Sequence, residues 1–249
     1  MKYLVEHHTH HATFGEHIGA AGCRIPAFGF DWVPTRQPIC LSFWENDFSA
    51  LAPHRYTTVM NWSVKSALQY NGFQWGQKNT EFEKMRTLPA RCTGESFEVM
   101  MAGAPAEKVQ ELRSLGWNVS DALKGVTDVD AYQRFIFSSK GEFSVAKETY
   151  VKSRSGWFSC RSACYLAASR PVVTQETGWS EYIPSGQGLF AFHDMDSALS
   201  AFEQIRSDYK RHARQARQLA HEYFDHQKVL GGLIEFVHQS PVRARKESI

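Results

Sequence analysis

The chain of 249 residues is poor in cysteine and in net charge. Its five cysteines, Cys23, Cys40, Cys92, Cys160 and Cys164, are odd in number and form no C-x-x-C. That argues against a disulfide framework and fits a reduced, cytoplasmic setting. The 28 Lys and Arg nearly balance 26 Asp and Glu, for a net charge of +2. No basic excess of the size nucleic-acid proteins use is present, so no nucleic-acid partner is expected. No apolar run approaches the length of a membrane span, and the N-terminus MKYLVEH lacks the apolar stretch of a signal peptide. G-x-G-x-x-G, G-x-x-x-x-G-K-[ST] and G-x-S-x-G do not occur. The dinucleotide fingerprint, the P-loop and the nucleophile elbow therefore have no support.

Hydrophobic residues at 43% and charged residues at 22% describe a globular protein, and 13% aromatics predict a core of large side chains. The first fifty residues hold His7, His8, His10 and His11, then Gly/Pro-punctuated text without helical period. His7 and His11 have the i,i+4 spacing of two metal ligands on one helix face. No neighbour of suitable type completes a tetrahedral set, so this segment reads as a solvated chain end.

From Tyr56 onward, short β-branched or apolar runs alternate with amphipathic ones, the pattern of a parallel sheet flanked by helices. The strands expected are 56–60, 97–101, 143–146, 171–174 and 189–192. Pro105 suits a first helical turn, Val109, Leu112 and Leu115 share a face, and Gly116 is a stop. Asp128 is a natural cap for a helix burying Val129, Tyr132, Phe135 and Ile136, and Asp194 for one burying Leu199, Phe202 and Ile205. An exposed helix is expected over 209–221, and a last one after Asp225 carrying Val229, Leu230, Leu233 and Ile234.

The segment from Phe143 to Tyr182 carries the chemistry. A strand leads into a loop rich in Ser, Gly and Arg, then a small-residue helix with Ser162, Ala163 and Ala167, a second strand, and a Thr177–Gly178 turn. A loop entering a helix N-terminus beside Lys147, Arg154 and Arg161 offers backbone N–H groups and positive charge, which is what a diphosphate needs. The competing possibility is that Arg154 and Arg161 are solvated or pair with Glu148 and Glu181.

This segment resembles the donor-binding half of GT-B glycosyltransferases, in which an Ala-rich helix precedes an R-P-V-V strand and a Thr-Gly turn. Here those are 163–168, Arg170 to Val173, and Thr177–Gly178. The chain also resembles a narrower bacterial group of glycosyltransferases (family 1/4-like) over 13–19, 29–38, 142–167, 170–178 and 222–231. The resemblance implies a single Rossmann-like α/β domain of GT-B C-terminal type over 49–240. Residues 1–48 would be the end of an acceptor domain with its linker, and 241–249 a tail.

The function so implied is transfer of sugar from a nucleotide-sugar, or help in that transfer; the alternative is a non-catalytic nucleotide-sugar-binding remnant. Lys147, Arg154 and Arg161 would serve catalysis. Ser155, Gly156, Trp157, Phe158, Ser159, Ser162, Glu176, Thr177, Gly178 and Glu181 would hold the donor. No cofactor or metal is expected. Two departures stand out: Cys160 and Cys164 occupy slots where relatives carry carboxylates, and no acceptor half is recognisable. The partner expected is a second copy or a separate acceptor-binding subunit.

Overall fold

The computed structural model describes residues 2–45, 54–62 and 68–239. The N-terminal segment holds α1 (Lys2–Glu6), β1 (Ala12–Thr13) and β2 (Val33–Pro34), the last two forming a small parallel pair. Next come β3 (Arg55–Asn61), a hairpin of β4 (Leu68–Tyr70) and β5 (Phe73–Trp75), α2 (Lys78–Lys84) and α3 (Leu88–Arg91). The chain continues through β6 (Ser96–Ala102), α4 (Ala106–Ser114), β7 (Asn118–Asp121), α5 (Ala122–Gly125) and α6 (Val129–Phe137). It then forms β8 (Gly141–Ser144), α7 (Glu148–Ser153), α8 (Cys160–Ala167) and β9 (Val172–Gln175). Last are β10 (Leu189–Phe192), α9 (Met195–Ser207), α10 (Tyr209–Tyr223) and α11 (His226–Gln239).

Six strands make one wholly parallel sheet in the order β10-β9-β8-β3-β6-β7. Numbered within the sheet this is 6-5-4-1-2-3, the doubly wound Rossmann order, and its direction reverses between β3 and β8. One face of the sheet buries Phe97, Phe143, Phe192, Phe202 and Tyr56; the other packs Ala163, Leu166 and Ala167 of α8 with Ala216 and Ala220 of α10. Small residues there let two helices lie close to the sheet and to each other.

The five expected strands form, and β7 adds a sixth; β8 ends at Ser144 rather than 146. Asp128 caps α6 through Ala131 N and Asp194 caps α9 in a capping box, as expected. Three burial expectations need correction. Val129 is 66% exposed, because at the first position of α6 it points away from the sheet, and Phe137 is buried instead. The basic helix α10 is not simply exposed, since His212, Ala216, Leu219 and Ala220 form a buried stripe. No residue of α11 is buried. The stretch 148–153 is a helix, α7, where a loop was expected.

The N-terminal segment lies against the sheet domain rather than apart from it. Ile39, Leu41 and Trp44 join the α8–α10 core, and Gln37 Nε2 donates to Phe158 O at 2.8 Å. The expected domain boundary at 48/49 and the tail 241–249 lie outside the described residues.

Candidate functional site

In doubly wound sheets, ligands bind beyond the carboxyl ends of the strands where the order reverses. Here that point is defined by an unequal pairing. β3 is in register with β6 from Arg55 to Asn61, but with β8 only at Tyr56 and Thr57. Beyond Thr57 the two strands diverge, leaving Val59 O without a strand partner on that side.

Arg161, in the first turn of α8, fills the gap. Its Nη1 donates to Val59 O at 2.6 Å, Nη2 to Ser144 Oγ at 2.5 Å, and Nε to Glu142 Oε1 at 2.5 Å. The Glu142 side chain is fully buried and that of Arg161 is 12% exposed. Glu142 Oε2 and Ser162 Oγ are buried without a hydrogen-bond partner. Such orphans are uncommon in folded interiors and mark places where a polar group could be received.

Two lysines complete the crevice. Lys147 precedes α7, with Nζ 5.7 Å from the centroid of Tyr150. Lys78 opens α2 and is half-buried. Burial, then repulsion by Arg161, pushes its ammonium down to about 7; Glu142 offsets this in part and Lys147 adds to it. Residues 76–77, just before Lys78, are tied to the start of α7. Gly76 N donates to Glu148 Oε2 at 2.8 Å, and Thr149 Oγ1 to Gly76 O at 3.1 Å. A Cβ at Gly76 would sit 2.6 Å from Glu148 Oε2, so only glycine allows this closure.

Above the crevice, the 154–158 loop is shaped by two left-handed residues, Arg154 (φ 49°) and Gly156 (φ 73°). Gly156 N donates to Thr177 O at 2.8 Å and Thr177 Oγ1 to Trp157 O at 2.7 Å, which joins this loop to the Thr-Gly turn. Gly178 N donates to the Glu176 carboxylate, whose other oxygen is buried and unpartnered. The N-terminal segment closes over the loop: His17 N donates to Ser155 O at 3.1 Å, and Gly15 bridges Trp157. Arg154 Nη2 donates to Glu181 Oε1 at 2.5 Å. His17 Nε2 faces Ala21 O at 3.0 Å, so that nitrogen carries the proton and Nδ1 receives the Tyr182 hydroxyl at 3.0 Å.

The expected site residues thus divide. Lys147, Ser159, Glu176 and Gly178 border the crevice or the turn beside it, and half-buried Trp157 stacks one face on Tyr150 at 5.0 Å. Phe158 cannot stack on a ligand, because it is 2% exposed and packed flat on Phe224. Ser155 is buried and its Oγ accepts from Trp157 N; Thr177 and Ser162 are buried as well. Arg161 does not offer its fork to solvent, as three of its N–H groups are taken by protein oxygens. It pairs with Glu142, not with Glu148. Arg154 and Glu181 pair with each other at the exposed rim. Lys78 belongs to no motif; only its place in the fold reveals it.

The Cys160 thiol is exposed, and burial pushes the Cys164 thiol up to about 12, so neither replaces a carboxylate. The two Asp-x-Asp triplets, Asp128–Asp130 and Asp194–Asp196, open helices as caps. Among the described residues, no three His, Cys, Asp or Glu side chains converge as a metal set. His7 and His11 bond to Tyr3 O and Val5 O, and His11 packs on Phe30 and Trp32. No helix among the described residues is long and apolar enough to cross a membrane.

No family model and no curated protein matches the chain. Solved structures do. HepE of Anabaena in complex with UDP and glucose superposes with TM-score 0.55 at 11% identity, over 86% of this chain and 59% of its own. AviGT4, a glycosyltransferase of avilamycin A biosynthesis, gives TM-score 0.58 at 13% identity, over 85% and 58%. TarM gives 0.56 at 12%, over 85% and 40%. These neighbours are GT-B glycosyltransferases, and the chain has the fold of part of one. It spans 40 to 60% of the length of the structures it matches.

Proposed function

We propose that the crevice between β3 and β8 binds the diphosphate of a nucleotide-sugar, and that the chain transfers the sugar or helps to transfer it. The observation that carries this reading is the convergence of Lys78, Lys147 and the Arg161–Glu142 pair at the point where the sheet order reverses. Lys147 and Lys78 offer ammonium groups to phosphate oxygens, together with the backbone N–H groups opening α8. Their charge would stabilise the departing diphosphate, where negative charge grows as the glycosidic bond breaks. Arg161 holds the crevice in shape from below. Trp157 offers its free ring face, and Glu176 and Glu181 are the nearest carboxylates for sugar or ribose hydroxyls. No divalent metal takes part in this reading, so EDTA should leave binding unchanged.

Calorimetry with UDP, GDP and dTDP tests the proposal. One of them binding with a Kd in the micromolar range is the expected result; binding of none overturns it. The lack of carboxylates at Cys160 and Cys164 favours a second reading, a binder without turnover. Binding without release of nucleoside diphosphate from any UDP-, GDP- or dTDP-sugar, tried alone and with added acceptors, would decide for it.

The expected second copy also belongs here. Part of the apolar surface foreseen for an interface is covered within the chain, since Phe30 and Trp32 pack on His11, and Phe236 on His10. Leu230, Ile234 and Val237 of α11 remain exposed. A two-fold pairing of α11 helices would cover them. Light scattering across a dilution series should then give twice 28.4 kDa, and a constant 28.4 kDa defeats the pairing.

A further inference from the structure

The crevice holds more positive than negative charge at very short range. Lys78 faces Arg161 and Cys160 of α8, Glu142 of β8 and Lys147 before α7. One carboxylate stands against three cations, and its Oε1 already receives Arg161. Of the three cations, Arg161 cannot release a proton under ordinary conditions, because guanidinium is too weak an acid. Lys147 is placed against the ring of Tyr150, a favourable contact for its charge. Lys78 is half-buried beside the fixed charge of Arg161 and has no carboxylate to itself. It is the group that can relieve the excess by becoming a neutral amine.

We propose that Lys78 binds the diphosphate directly, being neutral in the free protein and taking up one proton from solvent when a nucleoside diphosphate enters. The inference rests on the donor-binding reading above and adds to it a proton stoichiometry and a residue that no motif marks. An amine gains a proton and becomes an ammonium; the ligand supplies the negative charge, and the buffer supplies the proton. The shift of Lys78 to about 7 agrees with this geometry. Its sign is that of a base whose charged form is disfavoured until a counter-charge arrives.

The backbone supports a fixed position for this lysine. Residues 76–77 are clasped by Glu148 and Thr149. On the same helix Glu81 is buried and accepts from Gln175 Nε2 of β9 at 2.6 Å. Lys78 therefore sits on an element anchored at both its start and its first turn, as a ligand-binding group requires.

The test is calorimetric. Whichever of UDP, GDP and dTDP binds the intact chain is titrated at pH 8.0 in buffers of different ionisation enthalpy. At that pH the nucleotide phosphates are already fully ionised, their last pKa being about 6. The expected result is uptake of close to one proton per nucleotide, with affinity falling about tenfold per pH unit from 8 to 9. Lys78→Arg keeps a charge that cannot be lost, so it should bind with no proton uptake and a flat pH profile. Lys78→Met should also take up no proton and bind at least tenfold more weakly, and it serves if arginine is not accommodated. Cys160→Ser should retain the uptake, which separates the amine from the neighbouring thiol. Binding to the intact chain without uptake, or undiminished uptake in both Lys78 variants, overturns the proposal while leaving the donor reading standing. Absence of binding by all three nucleotides overturns both.

Discussion

The floor of the crevice and its rim both carry an arginine–glutamate pair from the same short stretch of chain, and the two pairs do different things. At the floor, Arg161 and Glu142 are withdrawn from water, and the guanidinium bridges two diverging strands. At the rim, Arg154 and Glu181 are about half exposed. The floor pair resists loss because either charge alone would be stranded in a low-dielectric site. The rim pair is screened, and pairs of that kind contribute only about 0–1 kcal/mol. Arg154 stands in addition in a left-handed conformation disfavoured for residues with a Cβ. The lesson is that charge in this loop becomes structural or functional according to the backbone beneath it.

Breaking the floor pair should give the largest effect. Arg161→Ala leaves Glu142 buried and uncompensated, and we expect a loss of about 3–5 kcal/mol in urea unfolding. Arg161→Met with Glu142→Leu should recover most of that loss, because two apolar groups leave no stranded charge. A single mutant as stable as the parent would place this pair with the rim. Removing a charge that faces the crevice without supporting it comes next. Lys147→Met should leave the melting temperature nearly unchanged and weaken nucleoside diphosphate binding about tenfold to a hundredfold, the loss of about 1.5–3 kcal/mol from a charge-assisted bond.

At the rim, Arg154→Gly relieves the left-handed residue and deletes the surface pair. The two terms oppose each other, so stability should change by no more than about 1 kcal/mol in either direction. A loss on the scale of Arg161→Ala would erase the contrast. Smallest of all should be deletion of residues 1–10, which removes α1 and the His10–Phe236 contact but keeps the His17 and Gly15 bonds to the loop. Melting temperature and nucleotide affinity should hardly move. A zinc-dependent rise in melting temperature that disappears on deletion would give these histidines a role.

Much of the fold was legible because its signals are local. Asp128 and Asp194 announce helix starts through side chains that reach back only three residues. The strands of β3, β6, β9 and β10 are short apolar runs that stay buried wherever the sheet places them. β7, Asn118–Asp121, was missed because Asn, Ser and Asp give it no apolar alternation. α7 was missed because its six residues are too few for a period to emerge.

The sequence by itself determined the periodicity, the caps, the Rossmann-like class and the stretch around 143–182 where charge meets a helix start. Those follow from interactions among residues a few positions apart. Only the tertiary structure decided which cation faces what. Burial of Arg161 depends on β3 and β8 parting after Thr57, and Phe158 became core because Phe224 lies across it. Lys78 entered the site from a helix some seventy residues away from Lys147 in the chain, brought there by Gly76, Glu148 and Thr149. Electrostatic strength depends on distance and on exclusion of water, and neither exists until the strands have paired.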